Sequence, residues 1–426
     1  MANKFAAELD ELVRAKVITP DTARDIQRYY ESGVRANPGK LLTIFSILGA
    51  ILSGLGIILI LAHNWDDLSQ FTKACLAFLP MLIGQLFCGF ALVKKPENAG
   101  WRESASVFLF LGIGASIALV AQVYNIPGNL ESFVLTWMVL ALPQVYLIRS
   151  SVTSLLYISG ITYYGSFAIE YWDDANYDYW LLLAAIVPYY YRLLQSKPSQ
   201  NFTFFHHWFL CLSIMICLSR FCDGGGDLIY LSYLSLFAIY YFIGSRPFFQ
   251  TQRQRNNSFS IIGQIGTIFT LLLLTFERHL SFHTAEAGWI TFITGPKHLT
   301  FITTALLTLT AIVLFFKKNH AHYKRIRIID IAFLLTTVLF CTGDLSHIGA
   351  NILVLLMGLS EMRRGSQQNN LGILNFGLII ITILVICRFF DTEFSFVVRG
   401  TLFISVGLGF FLANYLMLKK RKSDGQ

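Results

Sequence analysis

From Leu41 onward the chain alternates long apolar runs with short polar breaks. The runs fall at about 41–62, 70–93, 106–124, 131–148, 152–169, 179–194, 203–220, 228–243, 258–276, 298–316, 327–342, 347–361, 371–387 and 400–418. Crossing a bilayer takes about 20 apolar residues, so the pattern predicts an all-α polytopic transmembrane bundle of about 14 spans. The 347–361 run is short, and the 327–361 pair reads either as two spans or as one re-entrant hairpin; without it, twelve spans and the same termini remain. Ahead of Leu41 the period changes. Phe5, Leu9, Leu12 and Val13 form one helical stripe and Ala23, Ile26, Tyr29 and Tyr30 a second. Between them Thr19 is placed to cap a helix whose first residue is Pro20, and Gly33 to end it. The expected organisation is a cytosolic helical hairpin over 1–40, a multi-pass helical domain over 41–418 and a basic cytosolic tail over 419–426. A hairpin of this size encloses little core, so its stripes are expected to dock on the membrane domain, on another copy or on a protein partner.

Charge gives the pattern a direction. If residues 1–40 and every second loop share one side, that side holds all of the 33 Lys+Arg except Lys73, Arg220, Arg278, Lys297, Arg388 and Arg399. The other side holds 14 of the 25 Asp+Glu. Such a division follows the positive-inside rule and predicts cytoplasmic N- and C-termini. A hydrophobic fraction of 55% with only 14% charged residues lies outside the soluble range. The net charge of +8 is spread over helix ends, where lysine and arginine meet anionic headgroups, so the bilayer is the expected partner and nucleic acid is not. The seven cysteines contain no Cys-x-x-Cys and lie mostly in apolar runs, as small core residues do. Because the first apolar run begins only at Leu41, the first span is expected to act as an uncleaved anchor.

Candidate chemistry is sparse. Small residues at Ser46, Ala50 and Gly54, and again at Gly112, Gly114, Ser116 and Ala118, have the spacing that lets helix backbones approach closely. Pro80, Pro143 and Pro188 fall inside spans and favour kinks. Gln85 and Gln264 lie at mid-span depth, where an amide needs a partner, so both are expected to face the bundle, in helix contacts or along a polar pathway. No ionisable residue occupies the centre of a predicted span; Lys73, Arg220, Asp330 and Glu361 lie near ends, within snorkelling reach of the interface. His279 and His283, with Glu286 one turn on, are a weak candidate metal set in the longest external loop. Nothing else suggests a metal, and no cofactor motif or catalytic constellation is present.

One region carries more than composition. The stretch from Gly54 through His63, Asn64, Trp65 and Asp66, then Gln122-Val123-Tyr124-Asn125-Ile126-Pro127-Gly128-Asn129, then Trp137 and Pro143, resembles a bacterial membrane-protein family catalogued as domain of unknown function 2157. The likeness covers about residues 1–150. It implies a multi-pass protein of the bacterial inner membrane and brings no activity with it. Asn64-Trp65 ends the first span and Gln122 to Asn125 the third, both on the external side. They read as helix caps and headgroup anchors, or as a polar vestibule built from His63, Asn64, Trp65, Asp66, Asp67, Gln122 and Tyr124. The leading functional expectation is a transporter or flippase for a neutral, polar or lipid-linked substrate. The rivals are a non-catalytic sensor or assembly factor, and a transferase acting at the external face.

Overall fold

The computed structural model describes residues 9, 13–33, 38–63, 69–168, 177–221, 228–276, 298–319, 326–340, 346–389 and 395–423. Among these there is no strand, and a helix lies on each of the fourteen predicted runs. Six helices are long and apolar enough to cross a membrane, and five further apolar stretches are shorter. Of the fourteen expected spans, six are clear candidates among the described residues and the others fall short of that standard. Length is the reason. Ser151–Tyr163 and Ile328–Phe340 have 13 residues each, a rise of about 20 Å against a hydrocarbon core of about 30 Å.

The chain divides into two compact units, Met1–Tyr157 and Ile158–Gln426. The first contains α1 (Pro20–Gly33), α2 (Pro38–His63), α3 (Gln70–Lys94), α4 (Ala99–Val123), α5 (Leu130–Ile148) and the start of α6 (Ser151–Tyr163). In α1, Thr19 accepts the Thr22 amide at 3.2 Å, so the predicted cap with Pro20 behind it forms. The preceding helix of the hairpin lies mostly outside the described residues. Side-chain caps also start the longer helices: Ser69 accepts from the Thr72 amide, Asn98 from Trp101 and Asn129 from Ser132. Each satisfies an amide that the first turn leaves without an intrahelical partner.

Helix α4 is the centre of this unit. It is apolar nearly all round, and 67% of its most apolar window is buried, against 28% for α3, as expected of a helix enclosed by others. Small residues set the contacts. A Cβ at Gly112 would lie 2.7 Å from the Pro80 carbonyl oxygen of α3, and one at Gly114 would lie 2.6 Å from the Trp137 indole of α5. That indole donates to the Phe110 carbonyl at 2.8 Å, so the close approach also anchors a polar edge. Replacing Gly112 by valine should cost about 1–3 kcal/mol through overpacking, read as a lower melting temperature in detergent. A value of zero would mean that α3 and α4 do not pack through this contact.

The second unit holds the rest of α6, which passes into a π-helical turn at Tyr164–Ala168, followed by α7 (Tyr177–Ser196), α8 (Asn201–Phe221), α9 (Leu228–Gly244), α10 (Ser258–Leu274), α11 (His298–Asn319), α12 (Ile328–Phe340), α13 (Ser346–Gln367), α14 (Leu371–Phe389) and α15 (Phe396–Ser423). One core of this unit joins Leu234, Tyr241 and Phe242 of α9 to Leu271 of α10, Phe333 of α12 and Val354 of α13. Between α9 and α10, Asn257 caps α10 through the Ser260 amide at 3.0 Å and donates to the Gly244 carbonyl at 2.9 Å, closing the connection with one side chain. Cys88, Cys211 and Cys217 are buried free thiols, as expected of core cysteines.

Candidate functional site

Only some of the residues singled out from the sequence are among the described ones. Asn64, Trp65, Asp66 and Asp67, with His279, His283 and Glu286, lie outside the described residues, and His63 is described only as the last residue of α2. Gln122 and Tyr124 are exposed at the end of α4, where the backbone forms a complete C-cap. The Ile126 amide donates to the Ala121 carbonyl at 2.9 Å and the Asn125 amide to the Gln122 carbonyl at 3.4 Å, with Asn125 at φ 50° in the left-handed region. Asn129 then caps α5. In this half of the motif Asn125 and Asn129 cap helices. Asn125→Ala should cost about 1 kcal/mol in thermal melting, while Asn125→Gly should be nearly neutral, because glycine adopts this conformation without strain.

The two mid-helix glutamines belong to different units. Gln85 is exposed on α3. The buried face of α3 consists of Ala77, Pro80, Gly84, Cys88 and Ala91, and Gln85, one residue past Gly84, is rotated about 100° away from it. Gln264 is half-buried and its amide donates to Ser260 on the same helix at 2.8 Å, which satisfies it without a neighbouring helix. Among the described residues no three of His, Cys, Asp and Glu come together as a metal set.

Two polar clusters that sequence reasoning missed occupy helix ends instead. In the first unit the buried Glu103 of α4 closes the N-terminus of α6. Its carboxylate accepts the Ser151 and Val152 amides, each at 3.0 Å, and the Ser150 hydroxyl. Ser150 is itself the N-cap, accepting the Thr153 amide at 3.1 Å. A carboxylate from another helix thus takes the place that a capping-box glutamate would hold, at the positive end of the helix dipole. The network continues from Thr153 to Ser106 at 2.7 Å and from Ser106 to the buried amide of Gln144 at 3.0 Å, tying α4, α5 and α6 together. With one carboxylate surrounded by donors, this arrangement positions helices and offers no acid–base pair.

In the second unit, charge gathers around Tyr241. Asp330, fully buried in the first turn of α12, accepts Lys318 of α11 at 2.7 Å and the Arg327 amide at 3.0 Å. Lys318 stands 4.5 Å above the Tyr241 ring and the Arg327 guanidinium 5.2 Å from it, and Arg327 also donates to the Tyr241 hydroxyl. On α13, Glu361 pairs with Arg364 at 3.0 Å. Asp330 was expected to lie near the membrane interface. It does lie in the first turn of its helix, and there it is buried against a lysine partner that neutralises a carboxylate lipid could not solvate. Beside this cluster a cavity of about 870 Å³ opens between α12 and α13, lined by Arg327, Arg363 and Arg364 together with Ile328, Leu356 and Leu359.

The pairing across 318 and 330 was not readable from the sequence, since helices bring these positions together through a connection of unspecified path. A visible signal was the Arg327-x-x-Asp330 spacing, a helix start whose third residue can reach back to the cap amide. No curated protein and no solved structure matches the chain. Residues 10–154 match the model of the family described as predicted membrane protein (DUF2157), a match that runs through nearly all of the first unit and none of the second.

Proposed function

We propose that this membrane protein handles an amphiphilic, lipid-linked substrate from the cytoplasmic leaflet and moves it across the bilayer. The supporting observation is the cavity between α12 and α13, whose lining combines arginines with leucines and isoleucines. A volume of about 870 Å³ is in the range of sites that take a sizeable small molecule. Apolar and cationic side chains in one lining suit a molecule with a greasy tail and an anionic head. The basic residues at this end, Arg363 and Arg364, are on the cytoplasmic side of the topology expected from the charge division. A path for small polar solutes lined by Gln85 and Gln264 has no support, since one is exposed and the other is satisfied within its own helix.

A second reading, a non-catalytic scaffold, is favoured for the first unit. Its α4 is enclosed, and its motif residues Trp137, Asn125 and Asn129 serve packing and capping. Reconstitution separates the two. Proteoliposomes carrying headgroup-labelled lipids should lose their transbilayer asymmetry about tenfold faster or more than protein-free vesicles, which is about 1.4 kcal/mol off the crossing barrier. Equal rates for every anionic lipid tried would exclude translocation and leave the scaffold reading.

A further inference from the structure

Resting on that reading, we infer that the cavity between α12 and α13 selects lipids whose head is a phosphate monoester over lipids with a phosphodiester head. The argument is one of charge and donor count. Lys318, Arg327, Arg363 and Arg364 bring four positive charges to this end of the unit, and Asp330 and Glu361 bring two negative ones. Lys318 is taken by Asp330 and Arg364 by Glu361. Among the described residues no carboxylate forms a salt bridge with Arg327 or Arg363, so two guanidinium charges remain at the cavity wall. The buried Nε of Arg364 has no hydrogen-bond partner among the described residues, which adds a donor beside its ion pair.

A phosphodiester head carries one negative charge and two free oxygens. A zwitterionic head adds its own cation and leaves the excess uncompensated. A phosphate monoester carries about −1.5 to −2 at neutral pH and presents three oxygens to donors. Arginine is suited to this head because its planar fork donates two parallel hydrogen bonds to one phosphate. Arg327 is already held against Tyr241, so its guanidinium loses little freedom when a head arrives. Ile328, Leu356 and Leu359 of the lining would carry the first carbons of the tail, which is why a lipid fits better than free phosphate. The shared chemistry is a monophosphate on an apolar tail, from either a diacylglycerol or an isoprenoid alcohol.

The test uses the full chain in phosphatidylcholine mixed micelles, with fluorescent-tailed phosphatidic acid as the probe and fluorescence polarisation as the readout. Phosphatidic acid should bind about tenfold tighter than phosphatidylglycerol with the same tail, the difference expected for about one charge-assisted hydrogen bond. Arg363→Gln and Arg327→Gln should each weaken phosphatidic acid about tenfold and reduce the preference. Arg363 is exposed, so its variant should fold normally and melt with wild type, which keeps the test valid if Arg327→Gln unfolds. Arg253→Gln removes an exposed arginine that does not line the cavity, and should change nothing. Competition by a polyprenyl monophosphate stronger than by unlabelled phosphatidic acid assigns the site to isoprenoid lipids, and the reverse order assigns it to diacyl lipids; both uphold selection by the head. Inorganic phosphate displacing the probe as well as the lipids do would overturn the lipid assignment. Equal affinity for the two glycerolipids, or wild-type binding by Arg363→Gln, would overturn the inference. Selective binding without lipid crossing would remove only the translocation reading, and crossing without selectivity would remove only this one.

Discussion

Asp330→Ala should lower stability more than any other single change at the charged end of the second unit, by about 3–5 kcal/mol. The carboxylate is fully buried, and its removal leaves Lys318 charged beside Tyr241 and Phe242 and the Arg327 amide without its acceptor. Breaking one side of a buried pair costs more than replacing both, because the surviving charge has no partner and little water. The double variant Lys318→Met with Asp330→Leu should therefore recover a substantial part of the loss, and the two losses should not add. Thermal melting of the four proteins in one detergent gives the comparison. Additive losses would mean that the 2.7 Å contact contributes no coupling.

Glu103→Ala should cost about 3 kcal/mol in the first unit, since it strips two amides and one hydroxyl of a shared acceptor inside a closed contact. Glu103→Gln should not rescue it fully. A glutamine offers one carbonyl oxygen, and its NH₂ group would face a donor at the other position. The order wild type, glutamine, alanine is expected in melting temperature. If alanine matched wild type, the N-terminus of α6 would be satisfied by other groups and the network would not join these helices.

Much of the architecture was visible in the sequence because lipid leaves few options. Every long apolar run became a helix, since backbone groups in hydrocarbon must be satisfied within the segment. The Thr19 cap marked a start because its side chain satisfies a local amide, an interaction that depends on neighbours in the sequence. Gly112 and Gly114 announced close packing correctly, but their partners Pro80 and Trp137 could not be read from spacing. The glutamines show the limit. Depth in a span was legible, yet the face of the helix was not, because an apolar helix has no polar stripe to say which side is buried. The clusters at Glu103 and Asp330 were hidden for a related reason. Each joins residues from different helices, 47 positions apart in the case of Glu103 and Ser150, and lies at a helix end where a charge looks like an ordinary interfacial residue.

Uptake of a lipid from the cytoplasmic leaflet requires that the arginine-lined cavity open to that side of the membrane. A single cysteine in place of Arg363, on a background with the seven native cysteines replaced, reports this directly through a membrane-impermeant thiol reagent in intact cells and in inverted vesicles. Labelling from the cytoplasmic face alone is the predicted result. Labelling of Arg363→Cys from outside the intact cell would contradict the topology, the leaflet from which the substrate is taken and the head-group site together.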